Sequence, residues 1–248
     1  EDTFDTWFSS AQWPYATLES FGEKDSKTFY PTDVMETAGE IIFFWVSRMI
    51  MLGLYATGKL PFKTVYLHGL VLDAKGQKMS KSKGNVINPL DITAKFGTDA
   101  LRMGLVIGNT PGTSLALAED KIKGYKNFAN KIWNVARFVL SKEKEGELKK
   151  ELVDEFNQLA KDMTKDMENF RFYIAAEKIY AYMWHRFADE IIEESKGKTE
   201  YNATLYYIFE NCLKLLHPFM PFITEEIWQE IKNGESILMV EPWPTTND

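Results

Sequence analysis

From Ala118 onward, apolar residues recur at helical spacing with little interruption, and that periodicity restricts the C-terminal half of the chain to packed helices. "AEDKIKGYKNFANKIWNVARFVLSK" reads as one helix and "KEKEGELKK" as a charged, glycine-containing break. Residues 151–169, 171–195 and 199–217 read as amphipathic helices, with "SKGKTE" between the last two. "PFITEEIWQEI" closes the series, with Thr224 as the expected N-cap and Glu225 and Glu226 in the first turn, where the helix dipole favours them. Such a run predicts an antiparallel bundle. Cys212, the only cysteine, sits in the apolar pattern "LYYIFENCLKLL" and is predicted to be a small buried hydrophobe. A single cysteine excludes an intrachain disulfide and a cysteine metal cluster, and agrees with a reducing compartment.

Residues 1 to about 118 are patterned differently. "TVYLHGLVLD" is β-branched and apolar and predicts a strand over 64–73, followed by a turn at "DAKGQK". "EIIFFWVSRMIMLGLYATG" predicts a buried helix ended by Gly58. Its apolar run is interrupted by Arg48 and reads as too short to span a bilayer. "NPLDITAKFGTDALRMGLVI" predicts short helices capped at Asp91 and Thr98. The opening "EDTFDTWFSSAQWPYATL" is dense in aromatics, unlike a loose terminus, and suggests an excised piece of a longer protein.

The 248 residues carry a net charge of −7, so bulk charge gives no support to a nucleic-acid binder. Local charge differs. Between Lys59 and Lys83 there are six lysines and one acid, Asp73, a patch suited to anions. Its centre is "KGQKMSKSKGN": Lys75, Lys78, Lys81 and Lys83, with Gly76, Gly84, Ser80 and Ser82. Lysine ammonium groups on a flexible loop can follow moving phosphate oxygens.

Lys78-Met79-Ser80-Lys81-Ser82 matches the KMSKS loop of class I aminoacyl-tRNA synthetases at all five positions. "DTWFSSAQWP", "FYPTDVMETAGEIIFFWVSRMIM", "PFKTVYLHGLV", "ALRMGL", "NFANKIWNVARFVL" and "HPFMPFITEEIW" stand in the order seen in valyl-tRNA synthetases, so the resemblance runs along nearly the whole chain. It implies the C-terminal half of a Rossmann-type catalytic domain over 1–63, the KMSKS loop and a stem-contact region over 64–117, and a helical anticodon-binding bundle over 118–248. It also implies a cytoplasmic, monomeric partner of valine tRNA that uses ATP, with magnesium arriving on the nucleotide and no metal held by the protein. In that family the loop residues Lys78, Met79, Ser80, Lys81 and Ser82 bind the ATP triphosphate. Lys81, assisted by Lys78, stabilises the leaving pyrophosphate as charge builds on it. Ser80 and Ser82 either bond phosphate or cap the following helix.

The resemblance also assigns Trp7, Ile41 and Trp45 to the walls of the valine side-chain pocket. Without it, all three read as core. A pocket of this kind rejects threonine poorly, a limit known for this very enzyme class and not drawn from these residues. Where the family reads T-G-H-D or similar, this chain has Thr37-Ala38-Gly39-Glu40. Gly39 and Glu40 inherit the place beside the ATP ribose, with a longer carboxylate.

His68, His185 and His217 are the only histidines, and no two have the spacing of the HIGH motif. No segment corresponds to an editing domain. The reading therefore predicts a chain that does not activate valine alone and that needs a missing N-terminal catalytic half. The alternatives are a stand-alone, non-catalytic tRNA-binding module or one half of a split synthetase.

On a helical wheel of residues 119–140, Ile122, Tyr125, Ala129, Ile132, Trp133, Ala136 and Val139 form the expected core stripe. Lys123, Asn127, Asn130, Lys131, Asn134, Arg137 and Phe138 lie opposite. Phe138 either packs on a neighbouring helix or offers a platform for an unstacked base. By resemblance, Lys123, Asn127, Lys131, Asn134, Arg137 and Phe138 meet the tRNA.

Overall fold

The computed structural model describes residues 2–244 and, at Lys81, the backbone alone. It divides into two compact units, one of residues 1–70 with 110–114, the other of residues 71–109 with 115–248.

The first unit opens with short helices α1 (Thr6–Ser10), α2 (Trp13–Ser20) and α3 (Glu23–Phe29). The Asp5 carboxylate accepts the Trp7 amide at 2.8 Å and starts α1. β1 (Thr32–Ala38) and β2 (Phe62–His68) pair in parallel, from Thr32 opposite Phe62 to Ala38 opposite His68. A parallel pair needs a crossover, and the helical run between the strands supplies it. That run is not uniform. It winds tightly over Gly39–Ile41 and loosely, π-type, over Ile42–Val46, then becomes α4 (Ser47–Thr57). Gly58 ends it as predicted, at φ 71° with its amide on the Leu54 carbonyl at 2.9 Å. Val46, Met49 and Phe62 form the local core.

Two expectations for this unit are corrected. The run Gly39–Thr57 has 19 residues and is long and apolar enough by length and composition to cross a membrane; only 17% of its most apolar stretch is buried. Arg48, at its middle, faces Asp5 at 3.6 Å. The expected strand over 64–73 is in fact broken at Gly69 and Leu70. A Cβ at Gly69 would stand 1.6 Å from the Thr113 carbonyl oxygen. The 110–114 segment therefore crosses the backbone here, where only glycine leaves room.

In the second unit, β3 (Val71–Leu72) pairs in parallel with β4 (Leu115–Ala116). Between them lie the lysine loop, α5 (Pro89–Phe96) and α6 (Thr98–Val106). α5 is capped by the Asn88 side chain, which accepts the Leu90 amide at 3.1 Å, and Gly97 precedes α6; Asp91 and Thr98 fall inside the helices. The bundle follows as α7 (Glu119–Leu140), α8 (Lys150–Glu168) and α9 (Phe172–Ala181). α9 passes through a π-type stretch, Tyr182–Ile191, into α10 (Ile192–Ser195). α11 (Asn202–Leu216) and α12 (Pro221–Lys232) complete it. Phe128, Phe156, Phe187, Phe209 and Trp228 are fully enclosed at its centre, and Cys212 is buried, as expected. Burial also raises the Cys212 thiol pKa.

α12 begins one turn earlier than expected, so Thr224 is internal and buried instead of capping it. The cap comes from another helix. Asp99 on α6, 7% exposed, accepts the amides of Phe222 (3.2 Å) and Ile223 (2.7 Å). Three residues on, Arg102 donates to the carbonyls of Phe219 (3.2 Å) and Pro218 (2.9 Å). Spacing of i, i+3 puts both side chains on one face of α6. The acid takes the donors of the α11–α12 turn and the base takes its acceptors. Burial raises the Asp99 pKa, opposed by the two amides.

Asp99→Ala leaves those amides without their acceptor and is expected to cost about 1–3 kcal/mol. A urea titration checks this, with a lowered midpoint at unchanged slope. A midpoint equal to that of the unsubstituted chain would show that the cap contributes nothing.

Candidate functional site

The lysine loop begins where β3 ends. Asp73 and Gln77 close a turn, with the Asp73 amide on the Gln77 carbonyl and the Gly76 amide on the Asp73 carbonyl, both at 2.9 Å. Gly76 stands at φ 74°, which this turn requires. The Asp73 carboxylate accepts the amides of Lys75 (2.9 Å) and Gln77 (2.8 Å) and the Asn85 side-chain amide (2.8 Å). The Gln77 amide and Asn85 are the main causes that hold its pKa below the usual carboxylate value. Asn85 in turn accepts the Ser80 amide at 2.9 Å. Lys81–Lys83 form a single tight turn, and the Ser80 hydroxyl accepts the Lys83 amide at 3.3 Å. Ser80 therefore caps the loop's own turn, while Asn88 caps α5. Met79 turns inward, its sulfur accepting the Ile87 amide at 3.4 Å. The Lys81 side chain lies outside the described residues.

In the first unit, Trp7 stacks on Phe44 with centroids 5.9 Å apart, and the Trp45 indole N–H donates to the Ser10 carbonyl at 3.0 Å. Trp7 lines a cavity of about 360 Å³ with Asp5, Phe8, Ala11, Arg48, Met51 and Leu52. Its lining includes neither Ile41 nor Trp45, which lie on the tightly wound and π-type stretches respectively. Gly39 is in open space: a Cβ there would meet nothing within 4 Å. His68 shares this unit, with Nε2 3.5 Å from Glu36.

On α7 the exposed aromatic is Trp133, expected in the core but 40% exposed. It edges a cavity of about 360 Å³ with Ala136, Arg137, Leu140, Ile227 and Glu230. Phe138 is half-buried and packs on the bundle core, with the Lys142 ammonium 4.6 Å from its ring centre. Phe128, fully buried, belongs to the core and went unnoticed in the wheel. Lys123, Asn127, Asn130, Asn134 and Arg137 are exposed as expected. Lys131 is paired with Asp189 at 2.6 Å and lies 4.3 Å from the Trp184 ring centre.

These features belong to a known class. Residues 1–118 match the family described as tRNA synthetases class I (I, L, M and V), and residues 149–248 match the anticodon-binding domain of tRNA ligase. The chain belongs to the class I tRNA synthetases. Its relatives within that class are specific. It is 42% identical to the valine–tRNA ligase of Clostridium acetobutylicum over 99% of its own length, and 43% identical to that of Pelagibacter ubique over 98%. It spans 30% and 31% of those relatives. Its fold matches the LeuRS of Agrobacterium radiobacter K84, solved as a ternary complex with tRNA and LeuAMS, with a TM-score of 0.83 at 24% identity, covering 99% of this chain and 33% of that one. It also matches Mycobacterium tuberculosis methionyl-tRNA synthetase, solved with methionyl-adenylate, at a TM-score of 0.66 and 19% identity, covering 87% of this chain and 49% of that one.

Because Phe138 packs on the bundle, Phe138→Ala is expected to lower stability by roughly 1–2 kcal/mol, and Trp133→Ala by less. Thermal melts of the two variants decide this. A Phe138→Ala melt identical to that of the unsubstituted chain would place the ring outside the packed face.

Proposed function

We propose that this chain is part of a valine–tRNA ligase, which joins valine to its tRNA at the expense of ATP. The reading is carried by the 42% identity to such an enzyme over 99% of the chain. Residues 1–63 form part of the catalytic domain, 64–117 the phosphate loop and stem-contact region, and 118–248 the anticodon-binding domain. Lys78, Met79, Ser80, Lys81 and Ser82 hold the triphosphate of magnesium-bound ATP. Lys81 and Lys78 offset the charge that builds on pyrophosphate as it leaves. Gly39 and Glu40 stand beside the ribose. Open space around Gly39 supports this, since nothing within the chain demands a glycine there. Trp7, Ile41 and Trp45 wall the valine side chain, Trp7 through the cavity it already lines.

The exposed face of α7, with Lys123, Asn127, Asn134 and Arg137, meets the anticodon loop. Lys131 joins it on release from Asp189, and Phe138 offers the part of its ring that the bundle leaves uncovered. The first unit exposes Phe4, Phe43, Met51 and Tyr55 at 81%, 72%, 67% and 90%. So much apolar surface calls for a cover. We assign that cover to the N-terminal catalytic half, in a cytoplasmic monomer, and not to a membrane; the guanidinium of Arg48 in the middle of the helical run favours a protein cover. The chain alone is inactive, because it has no HIGH histidines.

Valine-dependent ATP–pyrophosphate exchange tests this. The isolated chain is expected to give none. Joined to the N-terminal portion of the Clostridium acetobutylicum enzyme it should become active, and Lys81→Ala should then lower the rate about 10²–10³-fold. Exchange by the chain alone, or an unaffected Lys81→Ala chimera, would overturn the proposal.

A further inference from the structure

The lysine loop contains one acid, and it meets the carboxamide that ends the loop. Asp73 stands at its start and Asn85 at its end, twelve residues apart and joined at 2.8 Å. The carboxylate oxygens of Asp73 are aimed at N–H groups: Oδ1 takes the amides of Lys75 and Gln77, and Oδ2 takes Asn85 Nδ2. Asn85 passes the constraint on, its Oδ1 accepting the Ser80 amide at 2.9 Å. Ser80 then caps the Lys81–Lys83 turn through its hydroxyl.

We infer that Asp73 and Asn85 form a clasp that sets the backbone of the phosphate loop, and that they are positioning residues for Lys78 and Lys81. The inference rests partly on the function proposed above. Every bond in the relay has a fixed direction. The carboxylate can only accept, the carboxamide donates with one end and accepts with the other, and Ser80 donates its amide and accepts at its hydroxyl. The direction makes the clasp testable by exchange of its two ends. In Asp73→Asn/Asn85→Asp, the new asparagine can accept the Lys75 and Gln77 amides and donate to the new carboxylate, whose other oxygen accepts Ser80. All four bonds survive, and only the longer Asn85 bond to the Lys78 carbonyl, 3.4 Å, is given up. Neither single substitution allows this. Asn85→Asp sets two carboxylates against each other, and Asp73→Asn sets two NH2 groups against each other or an NH2 against the backbone amides.

The experiment compares the chain, both single variants and the exchanged double variant by hydrogen exchange of the Gln77 and Ser80 amides and by affinity for inorganic tripolyphosphate. Each single variant is expected to exchange about tenfold faster or more at both amides, the scale of losing hydrogen bonds to a charged group. Each should also bind tripolyphosphate at least about tenfold more weakly by the same reasoning, and the double variant should recover both properties. Unchanged exchange in the single variants, or no recovery in the double variant, overturns the clasp. If exchange behaves as expected but no variant, nor the unsubstituted chain, binds tripolyphosphate, the clasp orders the loop and the phosphate assignment fails, and with it the positioning role. If the unsubstituted chain binds and the single variants bind equally well, the positioning role is overturned and the phosphate loop stands.

Discussion

The grip of α6 on the α11–α12 turn is the contact on which the second unit depends. Asp99 supplies acceptors to the first amides of α12, and Arg102 supplies donors to the carbonyls just before it. A turn with its donors and acceptors so close together would otherwise need water. Here it is closed by one helix face, and the apolar residues on either side, Met220 and Ile227, can be fully buried. His217 is held within the same turn, its Nδ1 2.8 Å from the Thr224 hydroxyl, and burial lowers its pKa.

Bonds among α5, α6 and α7 give the lysine loop a firm base. The loop runs directly into α5, which Asn88 caps, and α5 joins α7 through the Lys95–Glu119 ion pair and the Lys126 ammonium on the Lys95 carbonyl at 3.1 Å. Lys121 adds a bond to the Ile107 carbonyl at 2.6 Å, at the end of α6. The lysine loop thus stands on helices that are packed and bonded to the bundle. Within the loop, the order comes from hydrogen bonds and not from burial. That suits a segment that must present charge to solvent and still keep its shape.

The helices of the bundle were legible because 3.6-residue periodicity survives in the sequence wherever a helix has one wet face. The terminal detail was not. Asp91, Thr98 and Thr224 have the right chemistry for caps, but Asn88, Gly97 and a distant Asp99 occupy the actual boundaries. Tertiary partners can cap a helix, and no local pattern records them. The wheel failed at Trp133 for a related reason: the position of the neighbouring helix, not spacing, decides exposure there, and it also decides Phe138, which the wheel left open and the structure packs on the bundle. The strand over 64–73 broke because a remote segment crosses at Gly69. The candidate phosphate site was legible through a motif, but its Asp73–Asn85 relay needed coordinates, since residues twelve apart carry no periodic signal.

Binding of valine tRNA transcript to this chain, titrated across salt beside a non-cognate tRNA, tests the account most directly. The account expects preference for valine tRNA that persists as salt rises, because base contacts on the α7 face add to phosphate attraction. Equal binding of both tRNAs that disappears with salt would mean that only phosphate attraction operates. The bundle would then not read the anticodon, contradicting the assignment of the α7 face.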